Sequence, residues 1–200
     1  MGKNILVIDA CVRREESRTK EMMDTAVSVL KELHHDWNFE ILNLMELDLK
    51  YWTTDTLKQR DALLAKKEYD HPLFKYGNQF READGLIVAA PFWDLSVPAV
   101  LKVYIENVSA DKITFASSPE GLYGLCHGKW MLFLTTRGGN WAGSDMEQGS
   151  QYMEALCKFF GIDSYHCVYA DGVDIKELDS QAIMEKALED TRQECRKLVL

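Results

Sequence analysis

The stretch Gly85 to Lys102, GLIVAAPFWDLSVPAVLK, constrains the fold more than any other part of the chain. Gly85 to Ala90 is an unbroken apolar run of strand length, the pattern of a strand covered on both faces. Pro91 stiffens its exit. A short turn, Pro91 to Ser96, then leads into a helix opening at or near Pro98. A strand that ends in a turn and feeds a helix is the unit of an open α/β sheet, and such turns are where these sheets place ligands. This turn is unusually apolar. Phe92, Trp93 and Leu95 stand where a surface loop is normally polar, so it either faces something flat and apolar or forms a plug or a contact between copies. Asp94 is its one charge, and reads as a turn residue accepting backbone hydrogen bonds rather than an acid–base group.

The same alternation runs along the rest of the chain. Asn4–Asp9, Phe39–Leu44, Lys129–Thr135 and Tyr165–Ala170 read as further strands, the first and third of them nearly continuous in apolar residues. Helical spacing separates them: Met22, Ala26, Val29, Leu30 and Leu33; Val97, Leu101, Tyr104, Ile105 and Val108; Met153, Leu156, Cys157 and Phe160; Ile183, Ala187, Thr191, Cys195 and Leu198. Alternating β and α elements predict a doubly wound parallel sheet. Residues 45–83 are too long for one crossover and predict two helices, near Thr54–Lys66 and Pro72–Ala83. Residues 112–127 carry turn chemistry at Ser118-Pro119-Glu120-Gly121 and predict a loop or small hairpin beside the sheet.

Size and charge narrow the function. Two hundred residues without a linker or repeat predict one domain over 1–200. A net charge of −9, from 23 basic and 32 acidic residues, argues against non-specific nucleic-acid binding and against docking on an anionic membrane. No apolar run reaches the roughly 20 residues of a membrane helix. The start, MGKN, leads directly into a strand and predicts no signal peptide, and Leu6 stands where N-myristoylation wants Ser or Thr. The five cysteines are scattered, without C-x-x-C, which predicts reduced thiols in a cytoplasmic protein. The five histidines have no metal-site spacing, and G-x-S-x-G is missing, so no metal is expected and no nucleophile is assigned.

Three loops at strand ends carry suggestive chemistry. After Asp9, Ala10-Cys11-Val12-Arg13-Arg14-Glu15-Glu16-Ser17-Arg18-Thr19 ends in hydroxyls at a helix start. Ser17 either simply caps that helix or joins its free N–H groups in holding an anion. Neither G-x-x-x-x-G-K-[ST] nor G-x-G-x-x-G occurs there, which disfavours a P-loop or a dinucleotide Rossmann site. The second loop is the aromatic turn. The third, read as following Thr135, is Thr136-Arg137-Gly138-Gly139-Asn140-Trp141; its glycines allow close backbone approach, and Arg137 carries charge that can neutralise an anion.

With AAPFWDLSVPAVLK (Ala89–Lys102), PEGL (Pro119–Leu122) and TRGG (Thr136–Gly139) in this order, the chain resembles the flavodoxin-like FMN-dependent NAD(P)H oxidoreductases of the azoreductase and quinone reductase type. The resemblance implies a five-stranded parallel sheet in the order 2-1-3-4-5 with helices on both faces, a homodimer, and noncovalent FMN at the carboxyl ends of the strands. FMN is expected rather than FAD, since little chain follows the last helix. The implied phosphate loop falls on Ser17, Arg18 and Thr19, with Cys11 where the family has a small hydroxyl residue. The implied flavin contacts fall on Pro91, Phe92, Trp93, Asp94 and Leu95, and on Thr136, Arg137, Gly138 and Gly139. Phe115 and Tyr123 either wall an acceptor pocket or, for Phe115, fill the core. The resemblance implies a ping-pong hydride transfer from NADH or NADPH to a quinone, azo or nitro acceptor, with the flavin rather than a protein acid or base carrying the chemistry. The competing expectation is a non-catalytic electron carrier or FMN-binding module docking a redox partner.

Overall fold

The computed structural model describes residues 2–200; Met1, the first residue of the expected domain and of the MGKN start, lies outside them. Among the described residues one parallel sheet holds five strands: β1 (Asn4–Asp9), β2 (Asn38–Asn43), β3 (Gly85–Ala89), β6 (Trp130–Arg137) and β7 (Ser164–Asp171). Their spatial order is β2-β1-β3-β6-β7, which is the expected 2-1-3-4-5 once the interposed β4 and β5 are set aside. Those two, β4 (Phe115–Ser118) and β5 (Gly121–Gly124), pair antiparallel as the expected hairpin.

Strand burial follows the apolar pattern. Every residue of β3 and β6 is buried, as is all of β1 after Asn4. The edge strands β2 and β7 alternate and stay partly open. Fold-wide, Phe80, Leu86, Val88, Tyr104, Phe133, Met153 and Phe160 form the core on one face, and Val7, Met22, Leu30, Ile87, Leu132, Ala187 and Cys195 the core on the other.

Helices α1 (Arg18–Leu33), α4 (Ala99–Val108), α5 (Gln148–Phe160) and α6 (Ser180–Cys195) cover the two faces. In α4 and α5 the expected apolar faces are buried, apart from Val97, which precedes α4 and is half-buried. In α1 the buried stripe is Met22, Met23, Ala26, Val27 and Leu30; Leu33 is exposed, because the face turned to β3, β6 and α6 runs slightly off the expected line. The two helices expected in 45–83 are α2 (Thr54–Ala65), opened by a Thr53/Thr56 capping box, and α3 (Lys75–Glu82). Pro72–Phe74 forms a separate 3₁₀ turn ahead of α3, its start fixed by the Leu73 N–H donating to His71 Nδ1 at 3.1 Å.

One strand boundary corrects the sequence reading. β6 runs on to Arg137, so Thr136 and Arg137 are ladder residues, not loop residues. A polar Thr-Thr-Arg ending hides the strand's length from a reading based on apolar runs. All five cysteines are free, and burial pushes the Cys126 and Cys195 thiols up to about 12 and those of Cys157 and Cys167 up to about 11. Among the described residues no helix is long and apolar enough to cross a membrane.

The hairpin is anchored by backbone on backbone. A Cβ added at Gly124 would lie 1.9 Å from the Phe160 carbonyl carbon and 2.1 Å from the Gly161 nitrogen. Gly124→Ala is therefore expected to destabilise the fold by about 1–3 kcal/mol, the usual range for overpacking, as measured by urea unfolding.

Candidate functional site

All five strands of a parallel sheet end on the same edge, and here that edge opens into a cleft of about 380 Å³. It is lined by the α1 entry, the turn after β3, the end of β6 with its following loop, and the loop after β7. The volume lies within the roughly 300–1,000 Å³ of small-molecule sites. Among the described residues there is no cluster of three or more His, Cys, Asp or Glu side chains able to hold a metal.

The first wall is the start of α1. Ser17 is its N-cap, its Oγ accepting from the Lys20 N–H at 3.3 Å, and it lines the cleft as well. The two readings of Ser17 are thus compatible. The N–H groups of Arg18 and Thr19 open the helix and, among the described residues, donate to no acceptor of the chain. Such groups, with the helix dipole behind them, favour an anion. Arg18 lines the cleft and pairs with Asp174 at 2.8 Å, both ends well exposed.

The second wall is the aromatic turn. Its ends are fixed: Phe92 N–H donates to Thr136 O at 3.0 Å, Trp93 N–H to Ser96 O at 3.2 Å, and Ser96 N–H to Trp93 O at 2.8 Å. Between them Asp94 and Leu95 have φ of +48° and +66°. Two consecutive left-handed residues make the tight turn normally given to Asn-Gly, and for a leucine this costs about 1–2 kcal/mol. The N–H groups of Asp94 and Leu95, among the described residues, make no hydrogen bond within the chain, while Leu95 O accepts from Gln148 N–H at 2.9 Å. The turn thus spends conformational energy to leave two donors unpaired.

The third wall is Thr136, Gly138, Gly139 and Trp141. Gly138 is held against the loop after β7, with Asp174 N–H donating to its carbonyl at 3.0 Å; a Cβ on Gly138 would meet Asp174 Oδ2 at 2.8 Å. Trp141 packs against Phe92 in the cleft lining, ring centroids 5.6 Å apart and tilted by 45°.

Ser17, Arg18, Pro91, Phe92, Trp93, Asp94, Leu95, Thr136, Gly138 and Gly139 are therefore brought together in one cleft. Cys11, Thr19 and Arg137 lie behind its walls. Cys11 is fully buried, and burial followed by the charge of Asp9 pushes its thiol well above the ordinary range. Thr19 Oγ1 and Thr136 Oγ1 share a buried hydrogen bond of 2.7 Å that ties α1 to β6. Arg137 is only 2% exposed and is already engaged. It pairs with Asp171 at 3.1 Å and Glu147 at 3.4 Å, and its guanidinium lies 4.4 Å from the Tyr169 ring centre. The expectation that Arg137 neutralises an anion in the loop is corrected: a residue at the end of a buried strand points its charge into protein. Phe115 packs on Phe159 at 4.7 Å, and Tyr123 is exposed on the hairpin; neither lines the cleft.

The sequence places Arg13, Glu16 and Trp141 in the ligand-bearing loops without assigning them a contact, and it misses Val173 and Asp174 as cleft residues. The rule that ligands sit at strand carboxyl ends applies equally to Gly172-Val173-Asp174 after β7, and was the available signal for the last two.

Comparison with known proteins places this architecture. The family described as having a flavodoxin-like fold matches residues 3–195. An FMN-dependent NADH:quinone oxidoreductase of Clostridium perfringens is 32% identical over 186 residues, covering 92% of this chain and 94% of that protein. Another from a second strain of the same species is 34% identical over 190 residues, covering 92% and 96%. The crystal structure of an azoreductase from Bacillus anthracis superposes with a TM-score of 0.87 at 25% identity, covering 99% of this chain and all of that one.

The Arg137 network anchors the third wall. Asp171 Oδ2 also accepts from the Trp141 and Ala142 N–H groups at 3.1 and 2.6 Å, and Glu147 accepts from the N–H and hydroxyl of Ser150. Arg137→Ala leaves two carboxylates without their cation in the interior, so it is expected to cost about 3–5 kcal/mol in urea unfolding. Arg137→Lys, which keeps the charge, is expected to cost less.

Proposed function

Because the chain belongs to the flavodoxin-like fold family, we propose that it is an FMN-dependent oxidoreductase, moving a hydride from NADH or NADPH to a quinone, azo or nitro acceptor by a ping-pong sequence. The observation that carries this reading is the convergence of an anion-type helix start, an aromatic surface and one strained, donor-rich turn in a single cleft. The oxidoreductase names of relatives that share nearly the whole chain support an enzyme over a passive electron carrier. Residues 1–200 then act as one flavin-binding domain. The free thiols support a reducing compartment, the cytoplasm. The exposed apolar side chains of Trp93, Leu95 and Met146 support a second copy packing beside the cleft as a homodimer.

The residues fit the cofactor. A phosphate requires donors and positive charge, which the Arg18 N–H group and the side chains of Ser17, Arg13 and Arg18 supply. A planar ring requires aromatic surface to lie against, which the packed Phe92 and Trp141 rings in the cleft lining supply. Its heteroatom edge requires donors, which the unpaired N–H groups of Asp94 and Leu95 supply. Gly138 keeps its side of the cleft free of a side chain.

When bound, FMN would supply the two-electron hydride chemistry. The chain's part is binding, orientation and exclusion of water. Fixed N–H donors in the strained turn need no reorganisation when charge develops near them, and are worth more in a dry slot than in water. Asp94 serves through its backbone. Ser17 and Arg18 form the phosphate end with the buried Thr19 behind them, Pro91 to Leu95 one wall, and Thr136, Gly138 and Gly139 the other. Cys11, Arg137 and the Thr19 hydroxyl act from behind, fixing strand ends and loops.

Protein loaded with FMN is expected to show the oxidised-flavin spectrum, retained through gel filtration, and to oxidise NADH or NADPH with a quinone present. Loaded protein that gives no turnover contradicts the enzyme reading. Failure to bind added FMN contradicts the cofactor reading.

A further inference from the structure

The roles assigned so far leave unused the carboxylate buried deepest near the cleft. Asp9 is the last residue of β1 and is 1% exposed. A carboxylate in such a place is tolerated only with close partners. Asp9 has two. Cys11 N–H donates to its Oδ1 at 2.9 Å, and Arg14 Nη1 donates to its Oδ2 at 2.8 Å. Both partners belong to the loop that leads to α1, the anion end of the cleft.

Arg14 is held in an unfavourable backbone state. Its φ is +53°, a left-handed conformation that a non-glycine residue adopts at a cost of about 1–2 kcal/mol. In that conformation its carbonyl accepts the Ser17 N–H at 2.9 Å, while its Nη1 also approaches Cys11 O at 3.5 Å. A chain of contacts thus runs from the buried carboxylate through the Arg14 side chain and backbone to Ser17, the cap of α1. The guanidinium itself does not reach the ligand space: Arg13, Glu16, Ser17 and Arg18 line the cleft, and Arg14 does not. Charge at Arg14 is therefore consumed by Asp9, and what the pair delivers is shape.

We propose that Asp9 and Arg14 are positioning residues. Their ion pair locks the Cys11–Ser17 loop so that Ser17 and the free N–H group of Arg18 meet the phosphate, and so makes the cleft prefer phosphorylated flavin over the same flavin without phosphate. This rests on the FMN reading and adds to it a specificity device set outside the cleft.

The test is fluorescence titration of the full-length protein with FMN and, separately, with riboflavin, comparing the unchanged chain with Arg14→Ala, Arg14→Lys and Asp9→Asn. Arg14→Ala is expected to weaken FMN by about tenfold, a change of about 1.4 kcal/mol, while riboflavin affinity changes by less than about twofold. Arg14→Lys, which can still reach one carboxylate oxygen, is expected to recover part of the FMN affinity. Asp9→Asn is expected to repeat the selective loss; if it does not fold, the half-exposed Arg14 pair of variants decides. Equal losses for FMN and riboflavin, or unchanged FMN binding in Arg14→Ala, would overturn the proposal. An unchanged chain that binds neither flavin would instead overturn the FMN reading, and the proposal with it.

Discussion

Burial of β1, β3 and β6 on both faces is the constraint from which the rest follows. Strands that return to the sheet through crossover helices run parallel, and those helices cover both faces. Parallel strands end on one edge, so their exits converge whatever the loops contain. The loops after β1, β3, β6 and β7 are brought within one cleft by this geometry alone. What their residues add is chemistry: an open helix start, an aromatic slot, a glycine pair and a few charges.

Rigidity in this cleft comes from ions placed behind it. Arg137, Asp171 and Glu147 hold the loop carrying Trp141, and Asp9 with Arg14 holds the loop leading to Ser17. Neither set gains much net stability over a well-packed apolar equivalent, since desolvation offsets most of the Coulomb attraction. Their value is directional, because a carboxylate with two or three committed contacts restricts the shape of the loop around it. The aromatic turn uses strain for the same end. Asp94 and Leu95 occupy left-handed conformations, and in return two N–H donors stay free beside Phe92 and Trp93.

Much of this is legible in the residues, and the gaps have physical causes. Ile5–Ile8 and Gly85–Ala90 announce themselves as apolar runs, and the turn chemistry at Ser118-Pro119-Glu120-Gly121 announces a loop or small hairpin. The end of β6 does not, because Thr136 and Arg137 look like loop residues until the ladder with β7 is seen. For the same reason Arg137 reads as a surface cation, although its carboxylate partners lie 10 and 34 positions away in sequence and meet it only through the fold. Val173 and Asp174 escape notice because apolar and acidic residues after an edge strand have no local signature. Ser17 was ambiguous between cap and ligand contact, and the structure makes the ambiguity unnecessary: its oxygen caps the helix at the mouth of the cleft.

The central claim is that backbone donors at strand exits, more than charged side chains, hold a planar phosphorylated cofactor. Amide hydrogen exchange, compared with and without saturating FMN, tests it directly at single residues. The account predicts slowed exchange at Arg18, Asp94 and Leu95, the cleft-lining donors left free by the chain itself, with little change on the β2 edge far from the cleft. Slowed exchange confined to other segments, or none at these three positions in a protein that binds FMN, would contradict it.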